Sequence, residues 1–144
     1  MKYLLLISGL LLAITTTAQQ KETQGETPPP PPKGTIFNYT EQQPVPGFDV
    51  PSYLQGSLHY PDSAMNNNIQ GRVVVKFVVN EDGSVSDVAI LKGIGGGCDE
   101  EAARVVSQMP RWKPGKQNGT AVKVYFTLPI QFKIEDEPRK GKRK

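Results

Sequence analysis

With 144 residues, an aromatic content of 8% and a proline-rich front end, the chain has material for one modest core and no second domain. Its single cysteine, Cys98, excludes an internal disulfide and a cysteine zinc cage, and its single histidine, His59, excludes a multi-histidine metal site. The net charge of +3 belongs to the tail: without Lys2 and the cations Arg139, Lys140, Lys142, Arg143 and Lys144 the remainder carries −3, which argues against a nucleic-acid groove.

The chain opens with Met1-Lys2, an apolar run from Tyr3 to Ile14 and the small residues Thr16-Thr17-Ala18, the pattern of an export signal over residues 1–18. As a helix this segment spans about 24 Å, short of a bilayer core of about 30 Å, so cleavage near Ala18 and a periplasmic product are expected. The alternative is an uncleaved inner-membrane anchor facing the periplasm. No cysteine follows the apolar run to take a lipid.

Residues 19–48 are rich in Gln, Thr, Glu and Pro, with consecutive prolines from Pro28 to Pro32, and read as a disordered linker that favours the extended polyproline form. Within it, Ile36, Phe37 and Tyr39, then Val45 to Val50, have the character of short extended segments lying against the domain. The folded domain is expected over residues 49–134 and a basic disordered tail over 135–144.

Asp49 is placed to cap a short helix with Pro51 in its first turn and Tyr53, Leu54 and Leu58 on its apolar side. Tyr60-Pro61 breaks the chain, and Pro61 to Met65 gives a second helical turn ending among Asn66, Asn67 and Asn68. Gly71 to Lys92 then reads as a β-hairpin: Val73, Val75, Phe77 and Val79 share one face, Arg72, Val74, Lys76 and Val78 the other, and Asn80-Glu81-Asp82-Gly83 supplies the reversal.

Gly93 and Gly95-Gly96-Gly97 invite comparison with a phosphate cradle, but Asp99, Glu100 and Glu101 put carboxylates where phosphate would sit. Those acids suit a helix N-terminus instead. The helix runs to about Met109 with Ala102, Val105, Val106 and Met109 on one stripe, and Pro110 ends it. Trp112 is expected as a buried plug at one end of the core, and Asn118-Gly119 as a turn.

The last strand, Thr120 to Ile134, alternates strictly, with Val122, Val124, Phe126, Leu128, Ile130 and Phe132 on one face. Pro129 has no N–H to give a ladder, so its side of the strand is the expected free edge, and Lys123, Tyr125 and Thr127 share that side. Two readings of the edge stay open. Lysine and proline blunt a strand edge against unwanted pairing, and an open edge also accepts a strand from another protein.

In order, Tyr60-Pro61, Ile69-Gln70-Gly71 into VVVKFVV, the Glu81-Asp82-Gly83 turn, the helix from Asp99, MPRWKPGK from Met109 to Lys116 and the amphipathic last strand resemble the C-terminal domain of TonB-family energy transducers over about Leu58 to Ile134. The resemblance implies an α+β fold, a three-stranded antiparallel sheet with packed helices. It implies binding of the TonB box of an outer-membrane transporter by strand addition along the last strand, with Val122 to Phe132 as the docking edge and the region around Tyr60 beside the bound peptide; Pro129, lacking an N–H, narrows that edge to the main chain at Lys123, Tyr125 and Thr127. It implies no catalysis and no cofactor. Inner-membrane motor proteins are partners only if the N-terminus stays uncleaved, and edges of this kind also allow a homodimer. The alternative is an envelope accessory or tether without an energy-transducing role. An enzyme is not expected, because Asp82, Asp87, Asp99, Glu100 and Glu101 have structural places and no histidine or cysteine base stands with them.

Overall fold

The computed structural model describes residues 28–135; the expected signal segment, residues 1–18, and the tail beyond Glu135 lie outside them. In chain order the elements are β1 (Ile36–Phe37), β2 (Val45–Pro46), α1 (Val50–Ser57), α2 (Asp62–Asn66), β3 (Gly71–Val79), β4 (Val85–Lys92), α3 (Cys98–Ser107), β5 (Trp112–Lys113), β6 (Gly115–Gln117) and β7 (Thr120–Phe132). No helix among the described residues is long and apolar enough to cross a membrane.

The expected three antiparallel strands form the centre, with β3 between β4 and β7. Short strands extend this plan: β1 runs parallel to β7, β6 folds back on the start of β7, and β2 pairs with β5. The β3–β7 register holds unbroken from Gly71 opposite Phe132 to Val79 opposite Val124. The β3–β4 register slips twice. At one slip Asp87 and Val88 both face the single residue Phe77, and Asp87 takes a left-handed φ of 51°, the signature of a bulge that deepens the local twist.

The hairpin turn falls where the Asp-Gly pair demands it. Gly83 N–H donates to the Asn80 carbonyl at 2.9 Å with φ of 83°, and both the N–H and the hydroxyl of Ser84 donate to the Asp82 carboxylate. These hydrogen bonds hold the Asp82 carboxyl below its usual range. Gly83 is also needed for space, because a Cβ there would lie 1.9 Å from the Trp112 carbonyl oxygen. The turn thus seats Trp112, whose N–H donates to the Gly83 carbonyl at 2.8 Å.

Val73, Val75, Phe77 and Val79 are buried with Ile130 and Phe132, and Ala102 and Val106 of α3, with Met109 just beyond it, cover them. Trp112 closes one end between Phe48, Phe77 and Phe126, the last at 4.8 Å between ring centroids. The opposite sheet face departs from simple alternation: Val78 is also fully buried, enclosed because Tyr125 and Ser86 stand directly opposite it on the two neighbouring strands.

Asp49 caps α1 by accepting from the Ser52 N–H at 3.1 Å, and the Tyr53 hydroxyl donates to the Val105 carbonyl, fixing α1 to α3. The glycine loop before α3 is occupied by its own helix: Ile94 N–H donates to the Asp99 carboxylate at 2.8 Å. The expected linker boundary at residue 48 falls inside packed structure. Gln42 exchanges two main-chain hydrogen bonds with Lys116, and Val45–Pro46 pairs with Lys113 and Trp112. Apolar side chains at Ile36, Phe37, Pro44 and Phe48 draw this stretch onto the domain, and Gly115 lets Gln42 approach where a Cβ would meet its carbonyl at 3.1 Å.

Candidate strand-docking edge

β7 meets β3 along one side, and Val74 stands opposite Pro129 in that pairing. Main-chain donors alternate along a strand, and Pro129 has none, so Val124, Phe126, Leu128, Ile130 and Phe132 serve β3. Lys123, Tyr125, Thr127 and Gln131 turn their main chain the other way. Among the described residues the only strand on that side is β1, with Ile36 opposite Lys123 and Phe37 opposite Val124. The Tyr125 N–H faces the Phe37 carbonyl of β1, and from there to Gln131 the edge is unpaired, a run of about 20 Å at strand spacing.

The expected site residues are therefore distributed unevenly. Thr127 lies within the open run and Tyr125 at its start, beside the end of β1, and the Lys76 ammonium sits 3.9 Å from the centre of the Tyr125 ring. Lys123 does not lie on open edge, since the chain's own β1 is paired there. Tyr60 lies at the far end: its hydroxyl donates to the Ile69 carbonyl at 2.6 Å and its ring meets Phe132 edge to face at 5.6 Å. Burial, and secondarily the Cys98 sulfur, push the Tyr60 hydroxyl pKa up. Lys123 and the Phe132 position beside Tyr60 are about 30 Å apart along the strand, so one short peptide does not touch both.

Sequence reasoning missed a groove beside the edge. Val50, Pro51, Leu54 and Leu58 of the α1 region face Leu128, Pro129 and Ile130 of β7 across a trough of about 490 Å³. No residue of α1 is fully buried, so its apolar stripe is only partly used by the core. The i, i+4, i+8 spacing of Val50, Leu54 and Leu58 was the available signal.

The titratable groups are structurally engaged. Glu101 accepts from the His59 N–H at 2.7 Å and is bound by both arms of Arg104, which also donates to the Ser57 carbonyl. The Arg104 hydrogen bonds foremost, with the His59 N–H, hold the Glu101 carboxyl below its usual range. Cys98 is fully buried, and burial foremost, then Asp99 and Glu100, push its thiol pKa up, away from a nucleophilic thiolate. Among the described residues no three His, Cys, Asp or Glu side chains gather to hold a metal.

Residues 56–134 match the family described as Gram-negative bacterial TonB protein C-terminal. No curated protein matches the chain. Among solved structures, the Pseudomonas aeruginosa TonB C-terminal domain in solution is 25% identical, covering 72% of this chain and 96% of its own, at a TM-score of 0.47. Two Helicobacter pylori TonB C-terminal-domain solution structures are 22% and 21% identical, covering 60% and 64% of this chain and 90% and 89% of their own, each at a TM-score of 0.46. The family match takes in more than half of the sequence, and the chain belongs to the TonB C-terminal family, the periplasmic protein-interaction domains of TonB-dependent transport.

Proposed function

We propose that this domain binds an extended segment, the TonB box of a TonB-dependent outer-membrane transporter, by adding it as a strand to β7 between Tyr125 and Gln131. The observation that carries the reading is the unpaired run of β7 flanked by the α1 groove. Strand addition gives the partner main-chain hydrogen bonds at Thr127 and its neighbours, and every second partner side chain falls toward Leu54, Leu58 and Leu128. Apolar residues at alternate positions of the partner therefore fit, and the interaction serves transport without chemistry on the domain itself. Export by a cleaved signal makes the product a free periplasmic module, whereas an uncleaved N-terminus keeps it beside the inner-membrane motor proteins.

The test is calorimetric titration of a synthetic transporter TonB-box peptide into the wild-type chain and into Thr127→Pro. Proline at 127 removes a donor from the edge and none from the β3 ladder, so the variant should keep its circular dichroism spectrum and lose the peptide. Undiminished affinity in the folded variant contradicts the proposal.

A further inference from the structure

The edge of β7 has a resident at its beginning. β1 lies parallel to it, with Ile36 opposite Lys123 and Phe37 opposite Val124. Because the Lys123 main chain faces away from β3, parallel pairing directs its N–H and C=O to the residues before and after Ile36, which are Thr35 and Phe37. The second pair brings the Phe37 carbonyl to the Tyr125 N–H by the same geometry.

This strand is lightly fixed while the chain after it is firmly fixed. β1 is entered through a turn in which the Thr35 N–H reaches the Pro32 carbonyl at 3.4 Å and Gly34 takes φ of 86° in open space. It is left through Tyr39, which is 79% exposed. Ile36 and Phe37 themselves are only half-buried. From Thr40 onward the attachment changes: Thr40 is buried, Glu41 accepts from Gln117 and from the Asn118 N–H, and Gln42 and Lys116 exchange hydrogen bonds at 3.1 and 2.9 Å. β1 can therefore leave the sheet with the rest of the segment still in place.

We infer that β1 is an internal occupant of the docking edge, which competes with an incoming strand for the main chain of Lys123 and Tyr125. The inference rests on the strand-docking reading of β7 given above. With β1 seated, a partner pairs from Thr127 onward; with β1 lifted, the accepting edge lengthens back to Lys123. The proline run ends three residues before β1, and its Pro29 carbonyl accepts from the Asn118 side-chain amide at 3.4 Å, so tension along that tether meets this contact and then β1 before any other strand.

Two proline variants of the whole chain test this. Phe37→Pro removes the N–H that faces Lys123, whereas Ile36→Pro removes one that faces away. By amide hydrogen exchange, Lys123 and Tyr125 should be protected in the wild type and in Ile36→Pro and exchange fast in Phe37→Pro. Val124 and Phe126, bonded to β3, should stay protected in all three and so report an intact fold. A synthetic peptide of residues 33–39 should bind Phe37→Pro about tenfold more tightly than the wild type, the scale of one or two net main-chain hydrogen bonds. Lys123 and Tyr125 exchanging as fast as Thr127 in the wild type, or equal peptide affinity for both chains, overturns the inference. If the 33–39 peptide binds Phe37→Pro but a TonB-box peptide binds neither chain, the transporter reading fails and the resident strand stands.

Discussion

Pro129 stands opposite Val74 in the β7–β3 register, so the one β7 residue without an N–H lies on the side of the strand that β3 does not use. The ladder loses nothing, and the free edge gains a residue that cannot pair through a donor. Moving a proline by one position should reverse this. Thr127→Pro is expected to change stability by less than about 1 kcal/mol, while Leu128→Pro breaks a β3 hydrogen bond and strands its buried carbonyl partner, at roughly 2–3 kcal/mol. Urea denaturation of the two variants measures the contrast.

Gly83 and Trp112 form a second interlocked pair. A side chain at 83 meets both a left-handed φ and the Trp112 carbonyl at 1.9 Å. Gly83→Ala should cost at least about 2 kcal/mol and shift tryptophan fluorescence to the red, because the turn and the plug move together.

Glu101 gives the domain an acid-sensitive clasp between α3 and the segment joining α1 to α2. Its carboxyl is held below the ordinary value of 4.5 by Arg104 and the His59 N–H. A depressed folded value contributes stability that is complete above the unfolded pKa and lost as pH falls through the folded one. The stability gap between the wild type and Glu101→Gln should thus be present at pH 7 and close as pH falls below 4.5. Denaturation series at pH 7 and pH 3 check it. Added salt should narrow the neutral-pH gap, since the Arg104 side chain is 40% exposed.

The α1 groove predicts a split between binding and folding. Leu54→Ala trims a side chain that is only partly buried, and is expected to cost about 1–2 kcal/mol of stability, below the cost of a fully enclosed leucine. On the strand-docking proposal it weakens binding of a TonB-box peptide about tenfold, the scale of removing one apolar side chain from the wall of the trough. Calorimetric titration beside urea denaturation separates the two effects.

The central hairpin, the Asp49 and Asp99 helix starts, the α3 stripe and the Trp112 plug were all legible in the sequence. Each follows from local periodicity, a turn glycine or a missing donor. The occupancy of the edge was not legible. Ile36 and Phe37 are two apolar residues in a polar, proline-rich stretch, and nothing local says that they pair with a strand almost ninety residues later. Tyr60 was placed beside the peptide by resemblance; its hydroxyl is held by Ile69 and its ring meets Phe132, next to Gln131 at the far end of the open run. The groove escaped notice because α1 and β7 are distant in sequence and their apolar residues are each fully explained as core.

Amide-resolved exchange of the wild-type chain, with and without a transporter TonB-box peptide, tests the docking edge most directly. Thr127 and Gln131, whose N–H groups face the open side of β7, should exchange rapidly alone and become protected when the peptide binds, while the outer edge of β4 stays unchanged. Peptide binding that protects β4 amides and leaves Thr127 and Gln131 exchanging as before would contradict the account.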